Sequence, residues 1–248
     1  MDTYHLKILK IVDEGKDIKS FYLEKPPTFI FSPGQYCFVG SRVLPHEYSP
    51  MAIASGTKEE FLLFTIRKGN EVTNRLFELK EGDTMLVSEP KGTAIPLTKL
   101  AGTKVLCIAG GTGITPIRSL MKSLEQGEVT ILYGTENKST IPYKDEIKTW
   151  NAKIIFQKDT PTGNVTDLIQ TTEHQFAFVV GPTPMIQATI TKLNKIGWKN
   201  DKIFVSIEKY LYNKILGPVF PVNELEKLKT FLIKLLPKET KAITTEKD

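Results

Sequence analysis

A chain of 248 residues suits two modest domains or one large one, and 40% hydrophobic with 25% charged residues is the make-up of an ordinary globular protein that needs no staples. No apolar run reaches the roughly 18 residues of a membrane span, and the opening MDTYHLKILK lacks the charged-then-apolar layout of a secretory signal, so the chain reads as soluble and cytoplasmic. The net charge of +5 is only moderately basic and no nucleic-acid motif accompanies it.

The first hundred residues read as β structure. YHLKILKIV, IKSFYLEK, QYCFVG, FLLFTIRK and TMLVSE alternate or run apolar over strand lengths, separated by DEGKD, PPTFIFSPG, SGTKEE and EGD. Short strands at such spacing predict a sandwich or barrel. One helix interrupts them, TNRLFELK at 73–80, with Thr73 as its N-cap.

From about residue 103 the rhythm becomes strand, helix, strand. KVLCIAG is a continuous apolar strand suited to the middle of a parallel sheet, and ITPIRSLMKSLEQG reads as a helix stopped by Gly127. EVTILYG, YKDEIKTW, AKIIFQ, NVTDLIQ, FAFVVG, TPMIQATITKLNKIG and KIFVSIEKYL continue the alternation, which predicts a doubly wound α/β sheet. The boundary falls near PLTKLAGTK, giving domains at 1–98 and 99–220.

The remainder, 221–248, differs in character. Leu225, Leu228, Phe231, Leu232 and Leu235 share one helical stripe, Asn223 with Glu226 makes a capping-box-like start, and Pro237 ends it. The stripe packs on the protein's own body or docks a partner subunit. Much of the lysine excess lies after residue 190, which reads first as a solvated face and otherwise as a docking surface for an acidic partner.

Three turns carry chemistry. GGTGITP, comprising Gly110, Gly111, Thr112, Gly113, Ile114, Thr115 and Pro116, follows a strand and opens a helix. Glycines there let backbone approach a pyrophosphate, whose charge the free N–H groups and helix dipole stabilise. The spacing is Gly-x-Gly-x-x-Pro, with Pro116 in the first helical turn, where a missing N–H is harmless. Gly134, Thr135 and Glu136 end the next strand: Glu136 would accept from a ribose, favouring NADH, whereas Lys138 would meet a 2′-phosphate, favouring NADPH. Gly181, Pro182 and Met185 form the third turn. Three strand ends, each with glycine and a helix start, predict one nucleotide crevice.

Cys37 and Cys107 both sit in apolar runs and read as buried free thiols. Two cysteines cannot supply the four ligands of a typical iron–sulfur cluster, and no metal site is expected.

FSPGQY, GGTGITPIRSL and GPTPMI, preceded by a β-rich domain, resemble the ferredoxin–NADP⁺ reductase superfamily over roughly residues 4–211. Within it the sequence is most like the flavin-bearing electron-transfer subunits of dihydroorotate dehydrogenase and of sulfhydrogenase-type complexes. The resemblance implies FAD on an antiparallel barrel, a nicotinamide dinucleotide on the α/β domain, hydride passing between them, and electrons leaving to a partner. No acid–base residue is then required, because the flavin supplies the chemistry.

The family's flavin motif, Arg-x-Tyr-Ser followed by Ile-Ala-Ser, registers here in two ways. HEYS places His46 at the arginine position with Tyr48 and Ser49 matching. Registering on Ile53, Ala54 and Ser55 instead puts Ala52 at the serine position and Met51 at the aromatic one. FTIRKGNEVTNRL resembles the strand, loop and capped helix that hold the FAD pyrophosphate, implicating Arg67, Gly69, Val72 and Thr73; Arg67 would replace the missing arginine. Its plain reading is a strand followed by a capped helix. SEPKG at 88–92 resembles the turn that closes the barrel.

Two departures matter. Val180 stands where the family often has cysteine before its Gly-Pro turn, and VSIEKYLYNKILGPVFPVNE contains no cysteine where the named subunits carry a [2Fe–2S] loop. Glu208 and Tyr210 match positions before that loop and would lie near the flavin. The sequence therefore predicts an NAD(P)H–flavin oxidoreductase with no cluster of its own, serving ferredoxin or a catalytic subunit. Two rivals are a non-catalytic subunit that kept the fold, and a flavin reductase that binds its flavin loosely.

Overall fold

The computed structural model describes residues 3–44, 47–136, 139, 141–156, 164–170, 173–207 and 220–221. The first part is a six-stranded antiparallel sheet of β1 (Thr3–Gly15), β2 (Ile18–Glu24), β3 (Tyr36–Ser41), β4 (Ser49–Ala52), β5 (Phe61–Arg67) and β6 (Thr84–Ser88). Its order is β4-β3-β6-β1-β2-β5. The edges approach each other just past β4: the Ala54 N–H donates to Leu63 O at 2.8 Å, and the Leu63 N–H donates to Ser55 Oγ at 2.6 Å. The sheet is thus a nearly closed barrel. Alternate residues such as Leu6, Ile8, Phe21, Leu23, Leu62 and Phe64 fill its interior.

The second part is a parallel sheet of β7 (Lys104–Gly110), β8 (Glu128–Thr135), β9 (Ala152–Phe156), β10 (Phe176–Gly181) and β11 (Ile203–Ile207), with β12 (Phe220–Pro221) antiparallel at one edge. The order β12-β11-β10-β7-β8-β9 runs outward in both directions from β7, the doubly wound arrangement. Strand β7 shows why its sequence is apolar after Lys104. Val105, Cys107 and Ala109 face α3 (Ile114–Ser123), whereas Leu106 and Ile108 face the side of α5 (Thr183–Lys195). The layer around α3 also includes Ala54 and Leu63, so the barrel packs against that face. The chain passes from β6 to β7 through α2 (Leu97–Leu100).

Several elements differ from the sequence reading. The helix expected at 73–80 is α1 (Glu71–Leu76), capped by Asn70 and not by Thr73. Asn70 Oδ1 accepts the Thr73 N–H at 2.9 Å while the Thr73 hydroxyl accepts the Asn70 N–H at 2.9 Å, so the two residues cap reciprocally. The α3 helix stops at Ser123, with Leu124 extended, and Gly127 serves a later turn at φ +135°. YKDEIKTW shortens to α4 (Lys144–Ile147), NVTDLIQ holds a 3₁₀ turn at Val165–Leu168, and β4 is a strand inside the segment read only as a motif. Cys37 and Cys107 are buried free thiols in separate domains. No helix among the described residues is long and apolar enough to cross a membrane. The amphipathic stripe of 221–248 lies outside the described residues, apart from Pro221 in β12.

Candidate nucleotide-binding site

Strands β10, β7 and β8 are neighbours, so parallel pairing brings their carboxyl ends to one edge. Register sets Gly110 opposite Gly134 and Val180 opposite Ala109. The three predicted turns therefore do converge, at the place where open α/β sheets bind ligands.

The glycines there have separate tasks. A Cβ on Gly110 would lie 2.5 Å from Met185 Sδ and 3.3 Å from Pro182 Cδ, and one on Gly113 would lie 2.5 Å from Val180 O. Both let the β7 turn press against the β10 turn. Gly181 has the same duty, its Cβ position being 2.6 Å from Met185 Cε. Gly111 differs. Its φ is +56°, where side chains are disfavoured, and nothing lies within 4 Å of its Cβ position. It is the glycine that turns the backbone and leaves open space above it.

Ile114, Thr115 and Pro116 are buried in the first turn of α3, and Tyr133 Oη donates to Gly111 O at 2.9 Å, bracing the turn from β8. Thr135 is buried, while Glu136 is exposed at the end of β8. Its intended rival Lys138 lies outside the described residues, as do His46, Glu208 and Tyr210.

On the barrel, the expected flavin residues divide. Tyr48 is half-buried over Gly40, where a Cβ would lie 2.9 Å from Tyr48 Cδ1. Ser49 is buried and accepts from Asn70 Nδ2 at 3.2 Å, which ties the start of β4 to the start of α1. Arg67 is half-buried at the end of β5, and Gly69 is exposed with nothing within 4 Å of its Cβ position. Val72 and Thr73 are buried in α1. First-turn N–H groups have no intrahelical acceptor; the cap occupies that of Thr73, and those of Glu71 and Val72 stay directed out of the helix end. Ser49 is thus bonded to the α1 N-terminus, and Arg67 and Gly69 lie just before that terminus in the chain.

Met51 and Ala52 are half-buried in β4, whereas Ile53, Ala54 and Ser55 are fully buried. Ser55 Oγ accepts the Leu63 N–H, and its carbonyl accepts from Ser119 Oγ at 2.7 Å. These three seal the barrel against α3. Sequence reasoning missed Asn70, whose signal was the Asn-x-x-Thr spacing, and Arg118, a lone charge in the apolar run ITPIRSL.

Two comparisons fit this geometry. Residues 107–191 match the oxidoreductase NAD-binding domain family, and the barrel and α/β sheet together are similar in fold to a ferredoxin NADP⁺ reductase from Neisseria gonorrhoeae with bound FAD and NADP. That structure has a TM-score of 0.73 at 16% identity, covering 84% of this chain and 99% of the other. The chain is built on the ferredoxin–NADP⁺ reductase fold. Among curated relatives of this chain is the sulfhydrogenase 2 gamma subunit of Pyrococcus furiosus, 24% identical and covering 84% of each chain. Another is a probable dihydroorotate dehydrogenase B (NAD⁺) electron transfer subunit of Methanocaldococcus jannaschii. It is 28% identical, over 83% of this chain and 77% of the relative.

Proposed function

We propose that this chain is an FAD-dependent NAD(P)H oxidoreductase that takes hydride from a nicotinamide and hands electrons to a separate protein acceptor. The convergence of the turns at Gly110–Pro116, Gly134–Glu136 and Gly181–Met185 carries this reading, because it builds a dinucleotide crevice beside the barrel. The open space over Gly111 fits close approach of a pyrophosphate, and the α3 N-terminus favours its charge. The open Gly69, the outward first-turn N–H groups of α1 and the Arg67 side chain fit a second pyrophosphate, that of FAD, with Tyr48 and Ser49 towards its ring. When bound, the flavin supplies the hydride and electron chemistry, and the chain's part is binding and orientation.

Glu136, exposed at the end of β8, would accept hydrogen bonds from ribose hydroxyls and repel a 2′-phosphate, so NADH is the preferred donor. Electrons leave directly for ferredoxin or a catalytic subunit, since the chain's two cysteines lie in different domains and no cluster ligand set is present in the sequence. A net charge of +5 suits an acidic acceptor, and free thiols suit the cytoplasm. The relatives named as electron-transfer subunits support an acceptor in a complex. The FAD-loaded chain should oxidise NADH faster than NADPH with ferricyanide as acceptor. Failure to oxidise either would contradict the proposal.

A further inference from the structure

The barrel meets the α/β domain through a buried ionic contact. Arg118 lies midway along α3, with 2% of its surface exposed, beside Ile117 and Leu120. Its Nη1 and Nη2 fork onto Glu59 at 2.8 and 2.9 Å, and Nη1 also donates to Ala54 O at 2.9 Å. Its Nε and Nη2 reach Glu146 Oε1 at 3.1 and 3.0 Å. Glu59 and Ala54 belong to the barrel, whereas Glu146 belongs to α4. One guanidinium therefore joins three segments.

A second contact stands beside it. Tyr143 is a buried non-glycine residue at φ +57°, a left-handed conformation that surrounding structure must hold in place. Its hydroxyl lies 2.5 Å from Thr65 Oγ1, and its N–H donates to Glu14 Oε2 at 2.9 Å. Ser20 closes the network, donating to Glu14 Oε1 at 2.7 Å and lying 2.7 Å from Thr65 Oγ1. Glu14, Ser20 and Thr65 come from β1, β2 and β5, so Tyr143 is plugged into the barrel wall. The Arg118 Cζ sits 5.5 Å from the centre of its ring.

An exposed ion pair fixes little, but a buried fork whose N–H groups meet named acceptors fixes orientation. The segments it joins are telling. Arg118 sits one turn along the helix that opens at Gly110–Pro116, and Ala54 directly continues β4 with its neighbouring Tyr48 and Ser49. Ser119 Oγ adds its bond to Ser55 O on the same line. Hydride transfer requires donor and acceptor atoms within about 3–3.5 Å, and each is held by a different domain.

We propose that Arg118 is a positioning residue that locks the dinucleotide turn of α3 to the β4 segment and so sets the nicotinamide against the flavin. This rests on the reading of the chain as an NAD(P)H–flavin oxidoreductase. The test is anaerobic stopped-flow reduction of the FAD-loaded full chain by NADH, comparing wild type with Arg118→Met, Arg118→Lys and Glu59→Gln. In Arg118→Met the bleaching rate at saturating NADH should fall about tenfold or more, with FAD content and the NADH dissociation constant little changed. Arg118→Lys should recover part of the rate, and Glu59→Gln, which keeps the arginine and carries the test if Arg118→Met does not fold, should show a smaller loss. An unchanged saturating rate, or a loss confined to NADH or FAD affinity, would overturn the proposal alone. A wild type that NADH and NADPH both fail to bleach would overturn the functional reading, and this proposal with it.

Discussion

Gly111 and Gly113 stand two residues apart in one loop, yet the structure asks different things of them. A methyl group on Gly113 would collide with Val180 O, a backbone atom that cannot swing aside. Gly113→Ala should therefore destabilise the fold by about 1–3 kcal/mol, measured by denaturant titration. A methyl on Gly111 meets nothing, so Gly111→Ala should cost only the left-handed backbone, about 1–2 kcal/mol. That methyl would nevertheless occupy the space proposed for phosphate, and NADH affinity measured by fluorescence titration should drop. Gly113→Ala that stays folded should bind NADH with less change than Gly111→Ala. At Glu136, Gln substitution should narrow the preference for NADH over NADPH by roughly tenfold, since a hydrogen bond to a charged group contributes about 1.5–3 kcal/mol.

Among the elements, α1 is short at six residues and depends on its cap. Asn70→Ala removes both the bond to the Thr73 N–H and the link to Ser49, and should cost about 1 kcal/mol by thermal denaturation. It should also loosen FAD if α1 holds the pyrophosphate. The helix itself was legible in the sequence, but its start was not. Thr73 is a good cap by residue type, and only the reciprocal bonding with Asn70 moves the start to Glu71. The parallel strands and their glycine ends were legible because β7 after Lys104 and all of β10 are apolar and stop at glycine. The buried role of Ile53–Ser55 was not, because it arises from the barrel closing on Leu63 and from α3 arriving sixty residues later. Tyr143 was equally hidden, since no local pattern announces a left-handed tyrosine held by Glu14 and Thr65.

At the scale of the molecule, the described residues of the barrel and of the α/β domain share a buried polar interface, and that interface gives stability a pH dependence. Burial alone would raise the Glu59 carboxyl, but hydrogen bonds from Arg118 and the Gly56 N–H, with the charge of Arg118, outweigh it and hold it below the ordinary value. A group depressed on folding contributes fully above its unfolded value, about 4.3 for glutamate, and that contribution is lost as pH falls through the lower folded value. The melting temperature should thus show no pH dependence from Glu59 near neutral pH, where its contribution is complete, and fall below about pH 4.3, with a shallower fall in Glu59→Gln. Salt at about 0.5 M should suppress the parallel contributions of exposed Glu125, Asp145 and Glu173 but leave most of that of Glu59. Such an interface joins the two regions proposed to bind flavin and nicotinamide. The most direct measurement of that claim is an anaerobic absorbance spectrum of the chain, incubated with FAD and desalted, before and after adding NADH. A retained flavin spectrum that bleaches on NADH is the predicted result. A chain that emerges colourless, or a flavin that neither NADH nor NADPH bleaches, would contradict it.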